Sequence, residues 1–205
     1  IALDSKDQTQ ITNAVTDVLK KCILTRNVKV DELPTFDIEY LFLNIRAKSI
    51  GEDIKMTVTC PDDKVTQVPV TIYVDEIEVI RPEDHTTDIV LDDKMTLRMK
   101  YPSLNQFIES NFDVKDKSET LVDKTFKVIA DCIDTVYTGE DAWEAKDYTP
   151  AERLKFIEQL NSKQYKEVEK FFSTMPKLSK TIEVINPNTQ EKSSIVLEGL
   201  ADFFG

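Results

Sequence analysis

The amino-acid sequence predicts an α+β fold, in which one helix that is apolar on two sides packs between other helices and antiparallel β-hairpins. Apolar residues recur with a helical period before residue 51 and again after residue 118. They alternate with polar residues in two stretches between these helical regions and near the C-terminus. Helices and strands therefore come in separate runs, which is typical of α+β proteins rather than of alternating α/β proteins.

The first two predicted helices lie before residue 52. Residues 8–25 carry their apolar side chains on one face, which indicates an amphipathic helix. The second helix lies within DELPTFDIEYLFLNIRAKSIGE, residues 31–52, where we expect Thr35 to cap its start and Gly51 to end it. At about 100° per residue its apolar side chains fall on two opposite faces. One face comprises Phe36, Tyr40, Leu43 and Ala47, and the other comprises Ile38, Leu41, Phe42 and Ile45.

A helix that is apolar on two sides must be covered on both. We expect one face to pack on the first helix and on the long helix that follows residue 118, and the other face to pack on the sheet. Two alternatives remain open. Either both faces pack on other parts of this chain, or one face contacts another subunit or an N-terminal segment missing from the sequence. In either case, the seven large apolar residues of this helix act as structural core or as a partner face.

Residues 53–101 predict two β-hairpins. The strand at residues 54–58 is followed by the turn PDDK and a strand at residues 68–74, and EIEVI either extends this strand or bends away near Asp75. After a loop at residues 81–87, the short strands DIVL and MTLRMKY are joined at Asp92 and Asp93. A short helix, SLNQFIES, is expected after Pro102.

The longest predicted helix runs from Ser118 to about Tyr137 and ends at Gly139. Its expected buried face comprises Val122, Phe126, Ile129, Ile133 and Val136. The following GEDAWEAKDY is interpreted as an acidic loop that holds the only tryptophan. The sequence TPAE, residues 149–152, combines a capping box with proline at the first helical position, and a second helix starts at Asn161 and ends before Pro176.

The C-terminus predicts a last hairpin, with strands at residues 181–185 and 193–197, and a short apolar turn, GLADFFG. Leu200, Phe203 and Phe204 are either tucked into the core or form a docking site for a partner. This hairpin and the one at residues 54–74 share a strand, a turn with proline followed by Asp or Asn, and a second strand. Two hairpins built on one plan would explain the likeness, and so would chance.

The length fits a single α+β domain over residues 1–205, with a division into residues 1–112 and 113–205 as the alternative. The sequence does not begin with methionine, and Ile1 and Leu3 already follow the helical pattern. We therefore expect that an N-terminal segment precedes the sequence given.

Composition limits the classes of partner. The 38 acidic and 26 basic residues give a net charge of −12, which argues against nonspecific nucleic-acid binding and against docking on an anionic membrane. No apolar run approaches membrane-spanning length. The three cysteines, Cys22, Cys60 and Cys132, are far apart and odd in number, so we expect free, buried thiols in a reducing compartment.

No residue pattern indicates catalysis, cofactor binding or a metal site. Cys60 precedes a turn much as a zinc ligand would, but it has no partner nearby, and Asn186 occupies the matching place in the last hairpin. His85, the only histidine, is expected to be solvated in an acidic loop. With four glycines, no phosphate-binding loop can be recognised. The many carboxylates leave a glycan hydrolase as a remote alternative.

Several motifs resemble a known family. The stretches LPTFDIEYLFLNIRAKSIGE, LRMKYPSL, FFSTMPKL, INPNTQ and IVLEGLADFF are similar to the baseplate hub family of T-even-type contractile-tailed bacteriophages, which includes a hub structural subunit and a related hub assembly protein. Members usually begin with a basic, β-rich stretch that is absent here. Some relatives carry Cys-rich knuckles in these hairpins, but Cys60 is the only cysteine in the hairpins of this chain.

The resemblance implies a non-enzymatic protein, without cofactors, that is made in the cytoplasm of the infected bacterium. It would help to build the central hub of the baseplate through contacts with other hub proteins, not with nucleic acid or membrane. It either assists the association of those proteins or remains in the tail as a hub subunit. The strongly acidic composition favours the assembly role, and the sequence leaves homo-oligomerisation open.

Overall fold

The computed structural model describes residues 8–103, residue 106 and residues 121–204, with side chains for residues 14–103, 106, 122–200, 202 and 203. The helices are α1 (Gln8–Cys22), α2 (Thr35–Ile50), α3 (Leu121–Asp131), α4 (Pro150–Glu158), α5 (Ser162–Ser173) and α6 (Gly199–Phe204). The strands are β1 (Asp53–Thr59), β2 (Gln67–Tyr73), β3 (Glu78–Ile80), β4 (Asp88–Val90), β5 (Met95–Met99), β6 (Ile133–Thr138), β7 (Asp141–Glu144), β8 (Lys177–Ile185) and β9 (Lys192–Glu198). Segregated helices and antiparallel strands confirm the α+β class.

The strands form three antiparallel sheets, with the orders β1-β2, β3-β8-β9 and β4-β5-β6-β7. The predicted hairpins β1–β2, β4–β5 and β8–β9 all form. The segment EIEVI does not extend β2. A 3-10 turn at Val74–Glu76 bends the chain, so that β3 leaves the first hairpin and pairs with β8.

Helix α2 packs between helix α1 and the hairpins. On one side its residues Ile38 and Phe42 pack with Val15, Leu19 and Val30, and these five residues form the helical core. On the other side its residues Leu43 and Ala47 belong to the hairpin core, whose remaining members are Ile54, Ile72, Val74, Ile77, Leu178, Leu197 and Phe203. The predicted arrangement of a helix that is covered on both sides is therefore confirmed.

A third group of buried residues, the sheet core, lies between the four-stranded sheet and helices α3, α4 and α5. It comprises Ile89, Leu91, Leu97, Met99, Ile129, Ala130, Cys132, Ile133, Ile157, Val168 and Phe171. The expectation that the long helix covers α2 is wrong, because the buried residues of α3 belong to the sheet core. Strands β4 and β5 pack with α3–α5 in this core, whereas β8 pairs with both β3 and β9.

The prediction that the long helix continues to about Tyr137 is wrong after Asp131. Helix α3 ends there, and residues 133–138 form strand β6, with Ile133 buried against the sheet core and Val136 paired with Leu97. The β-branched residues of IDTVYT suit a strand better than a helix. Gly139, at φ +64°, turns the chain into β7 instead of ending a helix. Val122, which was expected to be buried, is 60% exposed.

Three further expectations need correction. The segment expected to be an acidic loop contains strand β7 and a 3-10 turn at Ala145–Asp147. Thr35 does not cap α2, because it is the first helical residue, and its hydroxyl has no hydrogen-bond partner among the described residues. Cys22 is exposed, whereas Cys60 and Cys132 are buried. The predicted helix SLNQFIES lies almost entirely outside the described residues.

The two helix starts predicted after residue 148 are confirmed. Thr149 and Glu152 form a reciprocal capping box at α4, with Pro150 at its first position. Asn161 and Gln164 form a second capping box at α5. Each box satisfies backbone N–H groups that have no partner within the helix. None of the helices in the described part of the chain is long and apolar enough to cross a membrane.

Candidate interaction site

The predicted partner face of α2 is mostly covered by the chain itself. Ile38 and Leu43 are 1% and 0% exposed, on opposite sides of the helix, and Phe36 and Phe42 are also buried. Leu41 and Ile45 are half-buried and pack against the helical core. Tyr40 differs from the others because 43% of its surface is exposed.

The C-terminal residues proposed as a docking site are turned inward as far as the structure describes them. Phe203 is 1% exposed and lies in the hairpin core, and Leu200 packs against both the hairpin and helical cores. The Phe204 side chain is outside the described residues. Glu39 on α2 fixes α6 by accepting a hydrogen bond from the Leu200 N–H, at 3.2 Å. Gly199 has a φ of +68°, which other residues rarely adopt, and an added Cβ would lie 3.0 Å from the Glu39 carboxylate, which would have to shift.

The β1–β2 and β8–β9 turns dock on each other, and we call residues 60–66 and 186–191 the paired turns. The amide of Asn186, a residue that is 1% exposed, contacts both carboxylate oxygens of Asp62 at 3.0 Å and one oxygen of Asp63 at 2.9 Å. Asn188 donates to the Thr66 hydroxyl at 2.9 Å, and Thr189 donates to Asp62 at 2.5 Å. Hydrogen bonds donated by Thr189 and Asn186 lower the pKa of Asp62, and hydrogen bonds donated by Thr66 and Val65 lower the pKa of Asp63.

The backbone of the paired turns follows one plan. Lys64 donates its N–H to the carbonyl of Cys60, and Gln190 donates its N–H to that of Asn186, at 3.0 and 2.9 Å. Both donors have positive φ, 58° and 62°. Cys60 and Asn186 thus occupy equivalent positions, which supports two hairpins built on one plan over chance.

The cysteines and carboxylates form no metal site in the described residues, where no cluster of three or more His, Cys, Asp or Glu side chains is positioned to hold an ion. Burial raises the pKa of the Cys132 thiol to about 12. Burial, with Asp62 and Asp63 nearby, also raises the pKa of Cys60. Both thiols are therefore protonated at neutral pH and are poor nucleophiles.

His85 is not simply solvated, because both of its ring nitrogens have hydrogen-bond partners. Nδ1 lies 2.9 Å from the Thr174 hydroxyl, and Nε2 lies 2.9 Å from the Tyr101 hydroxyl. Thr174 donates to the Lys170 carbonyl, so it accepts from His85 Nδ1–H, and Tyr101 donates to Nε2. The ring stacks on Tyr101 and packs on Phe171. Burial lowers the pKa of His85, with Asp84 opposing this effect.

Sequence reasoning missed two residues that organise the surface. Tyr101 contacts Phe36 of α2 edge-on, with ring centroids 5.1 Å apart, and also contacts Phe171 of the sheet core. Arg153 anchors the segment after β7 by donating hydrogen bonds to the carbonyls of Ala145 and Tyr148. The motif LRMKYPSL includes Tyr101, but no local pattern in the sequence distinguishes either side chain from an ordinary surface residue.

These features describe an α+β protein with filled cores, and comparison with known families gives its class, a component of the contractile tail of a bacteriophage. The chain belongs to the family described as T4 bacteriophage base plate protein, which matches residues 1–205. Its role therefore lies in the structure or assembly of the baseplate of the phage tail, together with other baseplate proteins. Comparisons with curated proteins and with solved structures found no match.

Proposed function

We propose that this protein is an assembly factor for the central hub of the phage baseplate, and that it acts in the host cytoplasm through protein–protein contacts, without catalysis. The observation that carries the proposal is the family match over the whole chain. Within this family, the motifs that resemble hub proteins are the reason for proposing a role in the hub. Hub subunits would be the partners, and neither nucleic acid nor membrane is involved.

The surface chemistry supports a role as a helper protein. The net charge of −12 keeps the protein soluble and repels copies of itself, while it attracts partners with basic surfaces. The two faces of α2 are largely covered from within, so binding does not require the helix to be released from its cores. A partner would instead contact surface features of a folded protein.

Co-expression with the other hub proteins of the same phage tests the proposal. We expect this protein to co-migrate with at least one of them in size-exclusion chromatography. The charge-related part of the interaction should weaken as the salt concentration rises, because exposed charges are screened. Absence of co-migration with every hub protein, alone or in combination, would remove the main support.

The alternative within the same family is a hub subunit that stays in the particle. Mass spectrometry of purified mature tails distinguishes the two roles. An assembly factor is expected to be absent or far below the level of hub subunits, whereas stoichiometric presence would show a subunit. A peptidoglycan digestion assay with the unmodified protein addresses the remote alternative of a cell-wall hydrolase, for which we expect no digestion.

A further inference from the structure

We propose that the outer edge of β7, together with the apolar cleft beside it, binds an extended, basic segment of another baseplate protein. The inference rests on the proposed function, because it names the surface and the chemistry of the partner. It is independent of α2 and of the C-terminal residues, which are largely covered by the chain itself.

Strand β7 is the last strand of the four-stranded sheet and pairs only with β6 among the described residues. The two strands are joined by a two-residue turn, and Thr138 and Asp141 form the strand pair next to this turn. The pair that closes such a turn is hydrogen-bonded, and bonded pairs alternate along an antiparallel ladder. The backbone N–H and C=O groups of Ala142 and Glu144 therefore point outward, where another strand can pair with them.

A cleft of about 360 Å³ lies beside this edge, between β6, β7 and α4. Its apolar lining includes Met95, Val136, Trp143, Ala145, Tyr148 and Phe156. Trp143 is the only tryptophan of the chain, and 48% of its surface is exposed. An apolar side chain of a strand added at β7 can enter this cleft, as in other complexes where strand addition is combined with a side-chain pocket.

The cleft is preformed, because its walls are held by hydrogen bonds. Arg153 donates to the carbonyls of Tyr148 and Ala145, at 2.9 and 3.3 Å, and to Asp131 at 2.8 Å. Trp143 donates from its indole nitrogen to the Thr138 hydroxyl at 3.0 Å. A preformed site avoids the entropic cost of ordering these side chains on binding.

The charge around the edge selects a basic partner. Glu140, Asp141, Glu144 and Asp147 lie in or next to β7, and Lys146 is the only basic residue between positions 140 and 147. Lys146 forms an ion pair with Glu144, which leaves an excess of negative charge. An edge strand that is short and charged resists pairing with arbitrary strands, so a partner needs lysine or arginine next to its apolar residue.

The single tryptophan permits a direct test in the full chain. We would incorporate 5-fluorotryptophan, add each of the other baseplate proteins of the same phage, purified singly, and follow the one ¹⁹F resonance. The expected result is that a partner with a basic segment shifts this resonance, and that a synthetic peptide of that segment competes with it.

Two variants test the edge and the cleft separately by calorimetry. Ala142→Pro removes an outward N–H without breaking the β6–β7 ladder, and its matched control Ala142→Val keeps that N–H. Trp143→Ala opens the cleft. We expect Ala142→Pro and Trp143→Ala each to weaken binding about tenfold or more, and Ala142→Val to change it less than about threefold. Should Ala142→Pro fail to fold, Trp143→Ala and the ¹⁹F shift still decide the question.

The charge requirement is tested by Asp147→Lys, with Glu83→Lys as a control at an exposed site outside this region. Only Asp147→Lys should weaken binding.

Wild-type affinity in Trp143→Ala and Ala142→Pro, with an unchanged resonance, would overturn the inference and leave the proposed function intact. A resonance that shifts with the protein's own concentration would show self-association and also overturn it. Failure of every baseplate protein to bind the wild type would overturn both proposals.

Discussion

At the residue scale, Asn186 shows how a polar side chain can join two distant turns. It is buried between Asp62 and Asp63, which lie more than 120 residues earlier in the chain. Its amide can donate two hydrogen bonds, and both go to charged acceptors. In a zinc ribbon a metal would connect such turns, whereas here the described residues connect them by hydrogen bonds.

Substitution of this residue gives the first prediction. Asn186→Ala should lower the free energy of unfolding by about 2–3 kcal/mol, because hydrogen bonds to charged groups are lost in a buried site. Asn188→Ala, which removes one exposed bond to Thr66, should cost less than about 1 kcal/mol. Urea denaturation measures both, and equal losses in the two variants would contradict the role assigned to Asn186.

His85 gives a prediction about pH. Its pKa in the folded protein is lower than in the unfolded chain, so the unfolded chain binds more protons as the pH falls through about 6.5. The contribution of His85 to stability is therefore present at higher pH and is lost as the pH falls from 7.5 to 5.5. Because it is the only histidine, the difference between wild type and His85→Gln isolates it. Parallel profiles of urea midpoint against pH in the two proteins would contradict this prediction.

At the element scale, α2 joins the helical and hairpin cores. Its apolar residues fall on both sides of the helix, and the structure fills one side with α1 and the other with the hairpins. Strong local signals were sufficient for the helix starts at Thr149 and Asn161, where capping boxes form. They were not sufficient at residues 133–138, where the apolar residues continue the helical spacing of α3 although the segment is a strand.

Two substitutions in α2 test which residues hold it. Leu43→Ala should destabilise the protein by about 2–5 kcal/mol, because Leu43 is fully buried in the hairpin core and its removal leaves a cavity. Tyr40→Ala, on the exposed part of the same helix, should cost less than about 1 kcal/mol. Urea midpoints measure both changes, and a loss at Tyr40 as large as that at Leu43 would contradict the packing described.

At the scale of the whole molecule, Tyr101 bridges α2 and the sheet core. Its ring contacts Phe36 on one side and Phe171 on the other, and its hydroxyl holds His85. An antiparallel bridge between Pro34 and Ser103 lies close by along the chain. These contacts couple the helical part of the protein to the four-stranded sheet.

The prediction of a single domain is tested by unfolding. Trp143 fluorescence reports on the four-stranded sheet, and far-UV circular dichroism reports on the whole chain. In the wild type the two transitions should coincide, as in a cooperative two-state protein. In Tyr101→Ala they should separate or lose steepness, whereas Tyr73→Ala, at a site that is 52% exposed, should leave them together. Separate transitions in the wild type would contradict the single domain.

Local sequence patterns were enough to predict the α+β class, the two faces of α2, three hairpins and two capped helix starts. Each of these depends on residues close together in the chain, through period, turn chemistry or capping. The pairing of β3 with β8, the strand β6 after α3, the docking of Asn186 on Asp62 and the cleft at Trp143 became visible in the folded chain alone. These depend on contacts between residues far apart in sequence, where burial and cross-strand pairing override the local preference of the chain.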